Sequence, residues 1–135
     1  DGSIMMNLQE LQTVVGYGLP LKIILINNEG YLSIKMTQES FFKGKEFASG
    51  PKTGVTLPNV RKISNAFGIE YYSIKNNNEI DEVMNVAMNT NRPSIIEVFT
   101  HPMERHEPKV MHKGVGEDGK IIPGELTNMH IREGF

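Results

Sequence analysis

The chain has 135 residues, 39 % of them hydrophobic and 22 % charged, with a formal net charge of −2. That is enough for one domain with a modest core, and the near-neutral charge argues against nucleic acid or an anionic membrane as a main partner. With no cysteine, disulfide and thiolate–zinc readings fall away. No apolar run approaches membrane-spanning length and no signal peptide is visible, so the cytoplasm is the default compartment.

Asp1-Gly2-Ser3 reads as a turn, with Ser3 placed to cap a helix. Leu8, Leu11 and Val15 fall at i, i+3 and i+7 on one helical face, and Gly16, Gly18 and Pro20 are stop signals. Gly16-Tyr17-Gly18 is not a dinucleotide fingerprint, because it precedes a strand and lacks the third glycine. The short apolar run from Leu21 to Ile26 predicts a strand buried on both faces, as in a parallel sheet. Asn27-Asn28-Glu29-Gly30 leaves that strand at its carboxyl end, where open α/β sheets hold their ligands. From Gly30 to Leu57 there is no clean period, and a connection that long is usually functional or disordered. Within it, residues 36–42 read as a short helix, and Phe41, Phe42 and Phe47 are candidates to pack on the core.

Pro58 is placed to open a helix at its first turn, with Val60, Ile63 and Phe67 on one face and Gly68 as its stop. A strand over Ile69–Ile74 follows, then a turn and cap at Asn76-Asn77-Asn78. Ile80, Val83, Met84, Ala87 and Met88 mark a second amphipathic helix, ended by Asn91 and Pro93. Ser94–Phe99 is the last clear strand. This alternation predicts an α/β fold whose three strands neighbour one another in a parallel sheet with right-handed crossovers and helices on both faces. Beyond Thr100 the pattern dissolves. Residues 1–135 read as one incomplete domain, with 101–135 an extended tail along its own domain or a partner. In that tail Ile121, Ile122, Leu126, Met129 and Phe135 need apolar cover, and Glu117-Asp118-Gly119-Lys120 reads as a hairpin or loop turn. His101, His106, His112 and His130 are too irregularly spaced for a zinc motif.

The chemistry is carried by the two ends of the first unit, with 24 residues between Gly2 and Asn27. Magnesium is a hard cation that takes about six oxygens. Asp1 can give a charged oxygen, Asn28 an amide oxygen and Gly30 its main-chain carbonyl. Diphosphate oxygens and a water would complete the shell. Gly2 lets a phosphate come close to the backbone, and the free N–H groups beside Ser3 form an anion site.

This pattern resembles the Gly-Asp-Gly…Asn-Asn motif of thiamine-diphosphate enzymes, entered after its first glycine. Residues 1–11, 27–34, Thr37-Gln38, Phe41-Phe42 and 62–69 are similar to the diphosphate-binding domain of acetolactate-synthase-like enzymes. The tail, from Glu107-Pro108-Lys109-Val110 through Asp118-Gly119-Lys120 to Arg132-Glu133-Gly134-Phe135, resembles a branch of these often associated with surface-polysaccharide pathways. Leu32-Ser33 departs from the Gly-Met pair of well-known acetolactate synthases, in a loop over the reacting end of the cofactor, which leaves the substrate open.

The resemblance implies the thiamine-diphosphate-binding fold, with thiamine diphosphate and Mg2+ as cofactors. It implies side-chain metal ligation by Asp1 and Asn28 and carbonyl ligation by Gly30. Gly2 and Ser3 would contact the diphosphate, and the backbone near Tyr31 and Leu32 would close over it, with the segment from Gly30 to Leu57 lining the active site. It further implies a 2-keto acid substrate and a homodimer or homotetramer in which the pyrimidine-binding domain of a partner subunit brings an activating glutamate. No residue of this chain is placed to be that glutamate, so the chain alone is expected to bind cofactor weakly and to be inactive. The alternative is a non-catalytic phosphate-binding or assembly module of the same fold.

Overall fold

The computed structural model describes residues 1–104, 107–110, 112–127, 129 and 130. His106, Phe135 and the rest of 131–135 lie outside the described residues, and so do the readings made on them. The chain divides into two compact units, Asp1–Glu104 and Arg105–Phe135.

The first unit is built on a three-stranded parallel sheet. β1 (Lys22–Asn27), β2 (Glu70–Ile74) and β3 (Ser94–Phe99) stand in the order β1-β3-β2. Both pairings are parallel, Leu25 and Ser73 lying opposite Glu97 on either side of it. β3 holds the centre because its first four residues can be buried: Ser94, Ile95, Ile96 and Glu97 all are. Helices α1 (Glu10–Gly16) and α3 (Val60–Phe67) cover one face, where Leu11, Leu25, Val60, Ile69 and Ile95 form the larger core. α4 (Ile80–Met88) covers the other, over Ile74, Ala87 and Ile96. The expected α/β architecture, a parallel sheet with helices on both faces, is what the chain forms.

Three expectations need correction. β1 is not buried on both faces: Ile24 and Ile26 are 53 % and 43 % exposed. It is an edge strand of the described sheet, and the core under α4 is centred on β2 and β3. Pro58 does not open α3. Asn59 is the N-cap, its side chain accepting the Lys62 N–H at 3.0 Å, so the proline sits one residue earlier. A cap satisfies an otherwise orphaned first-turn donor, which a proline at N1 cannot do. The short helix expected over 36–42 is longer and earlier, α2 (Leu32–Phe41), and Phe41, Phe42 and Phe47 are exposed at 39 %, 59 % and 79 % rather than packed in the core. Gly68, by contrast, ends α3 in the left-handed conformation (φ +70°), and Asn76 caps a short 3-10 turn as its sequence implies.

The second unit is a pair of small antiparallel ladders. β4 (Lys109–Val110) pairs with β7 (Met129–His130), and β5 (Gly114–Val115) with β6 (Ile121–Ile122). The Gly116 N–H donates to the Lys120 carbonyl and closes the hairpin around Glu117–Lys120. Ile121, Ile122, Leu126 and Met129 are exposed.

Candidate metal centre

The candidate site forms where β1 ends. The main-chain nitrogen of Asp1 donates to the Ile26 carbonyl, which pins the start of the chain beside the strand exit. From there the Asp1 carboxylate accepts the Gly30 N–H at 3.0 Å. The chain between them turns through two left-handed positions, Glu29 at φ +57° and Gly30 at φ +136°. Asn28, only 7 % exposed, fills the enclosed corner. One terminus of its side-chain amide lies 3.1 Å from Asp1 Oδ1 and 3.1 Å from the Gly30 carbonyl oxygen. As nitrogen, that terminus donates to both. As oxygen, it completes a triangle of three acceptors with no proton between them.

A triangle of hard oxygens is what a magnesium ion uses. The donor set therefore fits the cation: one carboxylate oxygen, one amide oxygen and one main-chain carbonyl. A half-turn of one amide converts the corner from self-bonded to cation-ready. Among the described residues no cluster of three or more His, Cys, Asp or Glu side chains offers a rival metal site, and His101 and His112 take no part in one.

Two glycines are required by what lies against them. A Cβ on Gly30 would stand 2.3 Å from the Ser49 carbonyl oxygen. The same carbonyl accepts the Tyr31 N–H at 2.8 Å, so residues 49 and 50 buttress the turn. A Cβ on Gly2 would stand 2.7 Å from the Tyr31 ring. The ring, and not only the backbone, of Tyr31 thus belongs to the site. The Tyr31 N–H is already engaged, whereas Leu32 opens α2, where first-turn N–H groups lack intrahelical acceptors. Ser3 does not cap a helix. It is exposed inside a 3-10 turn over Gly2–Met6 whose N-cap position is Asp1, because the helical geometry starts two residues earlier than expected.

Sequence reasoning missed two buried charged residues here. Lys35, on α2 and 7 % exposed, donates from Nζ to the Glu29 carbonyl at 3.1 Å and braces the turn beside Gly50. Its place four residues after Tyr31 was the available signal, since that spacing returns it to the helix start. Glu97, 5 % exposed, sits inside an apolar strand. It accepts from Asn27 Nδ2 at 2.6 Å and from the Tyr71 hydroxyl. A carboxylate within Ile-Ile-Glu-Val was the signal for that one. Burial and the bond to Glu97 push Tyr71 up to about 12, with Arg61 stacked 4.9 Å from its ring centre opposing the shift. Beside this network lies an open hollow of about 460 Å³, whose lining includes Asn27, Arg61, Tyr71, Lys75 and Glu97.

Residues 1–98 match the family described as thiamine pyrophosphate enzyme, C-terminal TPP binding domain. The acetolactate synthase large subunit of Parasynechococcus marenigrum (strain WH8102) is 31 % identical over 110 residues, 82 % of this chain and 18 % of that protein. Acetolactate synthase isozyme 2 large subunit of Escherichia coli (strain K12) is also 31 % identical over 110 residues, 82 % of this chain and 20 % of its own. The chain spans about a fifth of the length of these curated relatives. It belongs to the family of C-terminal thiamine-pyrophosphate-binding domains.

Proposed function

We propose that this domain anchors the magnesium and the diphosphate of thiamine diphosphate in an acetolactate-synthase-like 2-keto acid carboligase or decarboxylase. The observation that carries the reading is the convergence of Asp1 Oδ1, the Asn28 amide and the Gly30 carbonyl at the carboxyl end of a parallel sheet. That is where ligands of open α/β sheets bind. Asp1, Asn28 and Gly30 hold the cation. Gly2 and Ser3, with the backbone at Leu32, would meet the diphosphate, and Tyr31, whose N–H is taken by the Ser49 carbonyl, would line the site without donating to it. Thiamine diphosphate, when bound, supplies the nucleophile and the electron sink for chemistry on a 2-keto acid. The residues of this chain would hold its charged end through the cation, whose charge would offset that of the diphosphate. Activation of the cofactor falls to the pyrimidine-binding domain of a partner subunit in a homodimer or homotetramer. Among the described residues no helix is long and apolar enough to cross a membrane, and we place the enzyme in the cytoplasm.

Calorimetry on the whole protein tests this. Thiamine diphosphate should bind only with magnesium present, and a 2-keto acid should then release carbon dioxide. Asn28→Ala should weaken cofactor binding by about tenfold or more, since a lost ligand costs at least what a lost supporting bond does. Wild-type affinity in Asn28→Ala would overturn the site. Binding without turnover by the whole wild-type protein would favour the non-catalytic module.

A further inference from the structure

The Glu97 carboxylate is buried in the middle of the sheet, and its hydrogen-bond donors among the described residues are two neutral groups, Asn27 Nδ2 and the Tyr71 hydroxyl. Taking a carboxylate out of water costs several kcal/mol. An apolar residue would serve packing better at this point of β3, between Ile96 and Val98. What the carboxylate does is hold Asn27. That residue is fixed from three sides. Its amide nitrogen donates to Glu97 Oε1 at 2.6 Å. Its amide oxygen accepts the Glu29 N–H at 3.3 Å. Its main-chain carbonyl accepts the Thr100 N–H at 3.0 Å.

The bond to Glu97 also decides which way round the Asn27 amide sits. A carboxylate only accepts, so the nitrogen must face it and the oxygen must face the Glu29 N–H. The Glu29 N–H lies inside the turn that carries Asn28 on one side and Gly30 on the other. Glu29 has φ +57°, a conformation a non-glycine residue holds only when its surroundings enforce it. The chain Glu97–Asn27–Glu29 supplies that enforcement from the centre of the sheet.

We infer that Glu97 is a positioning residue for the metal centre, acting through Asn27 to orient the turn that presents the Asn28 amide and the Gly30 carbonyl. The inference rests on the reading of Asp1, Asn28 and Gly30 as the cation's ligands. In this arrangement the two asparagines divide the labour. Asn28 faces the cation, and Asn27 faces the carboxylate that keeps Asn28 in place. Tyr71 shares the carboxylate but does not touch the turn. Its hydroxyl, protonated at neutral pH as any tyrosine is, donates to Glu97.

The test is Mn2+ affinity, followed by electron paramagnetic resonance in the whole protein with thiamine diphosphate present, well below each variant's unfolding temperature. Supporting residues of metal ligands typically contribute 10–100-fold in affinity, so Glu97→Ala and Asn27→Ala should each weaken Mn2+ by about that much. The double variant should be no weaker than the weaker single, because both cut one bond. Glu97→Gln keeps an acceptor for Asn27 and should stay within about threefold of wild type, a small part of that range. Tyr71→Phe removes a donor from the same carboxylate without touching Asn27 and should leave Mn2+ affinity unchanged. An equal loss in Tyr71→Phe and Glu97→Ala would overturn the inference, since general packing would then explain both. Wild-type affinity in Glu97→Ala would also overturn it, provided Asn28→Ala loses the metal. If Asn28→Ala binds Mn2+ like wild type, the metal centre itself has been misassigned and the inference falls with it. Should Glu97→Ala not fold, Asn27→Ala cuts the same bond from the other end, and wild-type affinity there overturns the inference equally.

Discussion

Gly30→Ala is the sharpest local perturbation available, because two independent costs meet at one atom. The new Cβ would stand 2.3 Å from the Ser49 carbonyl oxygen and 3.0 Å from Gly50 Cα. Carbon–oxygen contacts settle near about 3.3 Å, so the backbone of residues 49 and 50 must retreat by about 1 Å. That retreat loosens the Tyr31 N–H bond to the same carbonyl, at 2.8 Å, whose net value is about 1 kcal/mol. Separately, φ +136° is a region that suits glycine almost alone, and an L residue forced there costs about 1–3 kcal/mol. Clash, strain and lost bond together amount to roughly 3–7 kcal/mol, a large fraction of the ~5–15 kcal/mol that holds a domain folded. Gly18→Ala is the control. Its φ is +61°, nothing lies within 4 Å of the added Cβ, and the left-handed conformation alone costs about 1–2 kcal/mol. Equilibrium urea unfolding should therefore separate the two variants by roughly 1 kcal/mol or more, the least difference of those estimates. Mn2+ affinity should fall in Gly30→Ala and not in Gly18→Ala. Equal destabilisation in both, or an unchanged metal affinity in Gly30→Ala, would show that the 49–50 buttress does not set the position of the Gly30 carbonyl.

Tyr71 ties stability to alkaline pH. Its folded pKa, about 12, lies above the usual 10, so the folded state holds its proton more tightly than the unfolded one. That stabilisation is complete below pH 10 and is lost as pH rises from 10 to 12. Absorbance at the tyrosinate band should show a late-titrating group that disappears in Tyr71→Phe, while part of the late titration survives from Tyr72, whose pKa burial also raises. A single titration near 10 for all four tyrosines would refute it. Gly2→Ala should cost about 1–3 kcal/mol by overpacking, because its Cβ would meet the Tyr31 ring at 2.7 Å. In Tyr31→Ala the same change should cost little, and a double-mutant cycle by urea unfolding measures the difference. Additive effects would mean that the ring does not lie on Gly2.

The fold was legible wherever one period governed a segment. Ser94–Phe99 was read to its ends because a short, largely apolar and β-branched run bounded by Pro93 and Thr100 fits a strand. Gly68 and Asn76 were legible because a left-handed stop and a side-chain cap are local events. The failures are tertiary. No period in Leu21–Ile26 says that Ile24 and Ile26 face outward, since burial of that face depends on which element packs there and not on the strand itself. The start of α2 was missed because Leu32-Ser33-Ile34-Lys35 mixes apolar and charged residues. The buried Lys35 reads as a surface position until the Glu29 carbonyl is seen to receive it. The phenylalanines at 41, 42 and 47 carry no periodicity, and hydrophobicity alone assigned them to a core they do not join.

At the site, the sequence marked the residues that meet in space but not the way they are held. Asp1, Asn28 and Gly30 were found because strand-end position and oxygen chemistry are both written in the chain, and the structure brings the three together. Asn27 looked like a mere neighbour of Asn28, because a dipeptide does not say which way each amide turns. That direction comes from Glu97, seventy positions away, whose carboxylate can only accept and so leaves the Asn27 oxygen for Glu29. Aspartate in place of Asn27 would put two acceptors face to face and lose the bond. Leucine would leave the carboxylate with Tyr71 alone. An asparagine, or a side chain with the same donor and acceptor at the same reach, is therefore required at 27 for a reason distinct from that at 28. The second asparagine answers to the Asp1 carboxylate oxygen and the Gly30 carbonyl, each 3.1 Å from its amide. The first answers to a buried carboxylate on the central strand, and through the Glu29 N–H that bond joins Lys35 and the Asp1 carboxylate in holding the turn that follows.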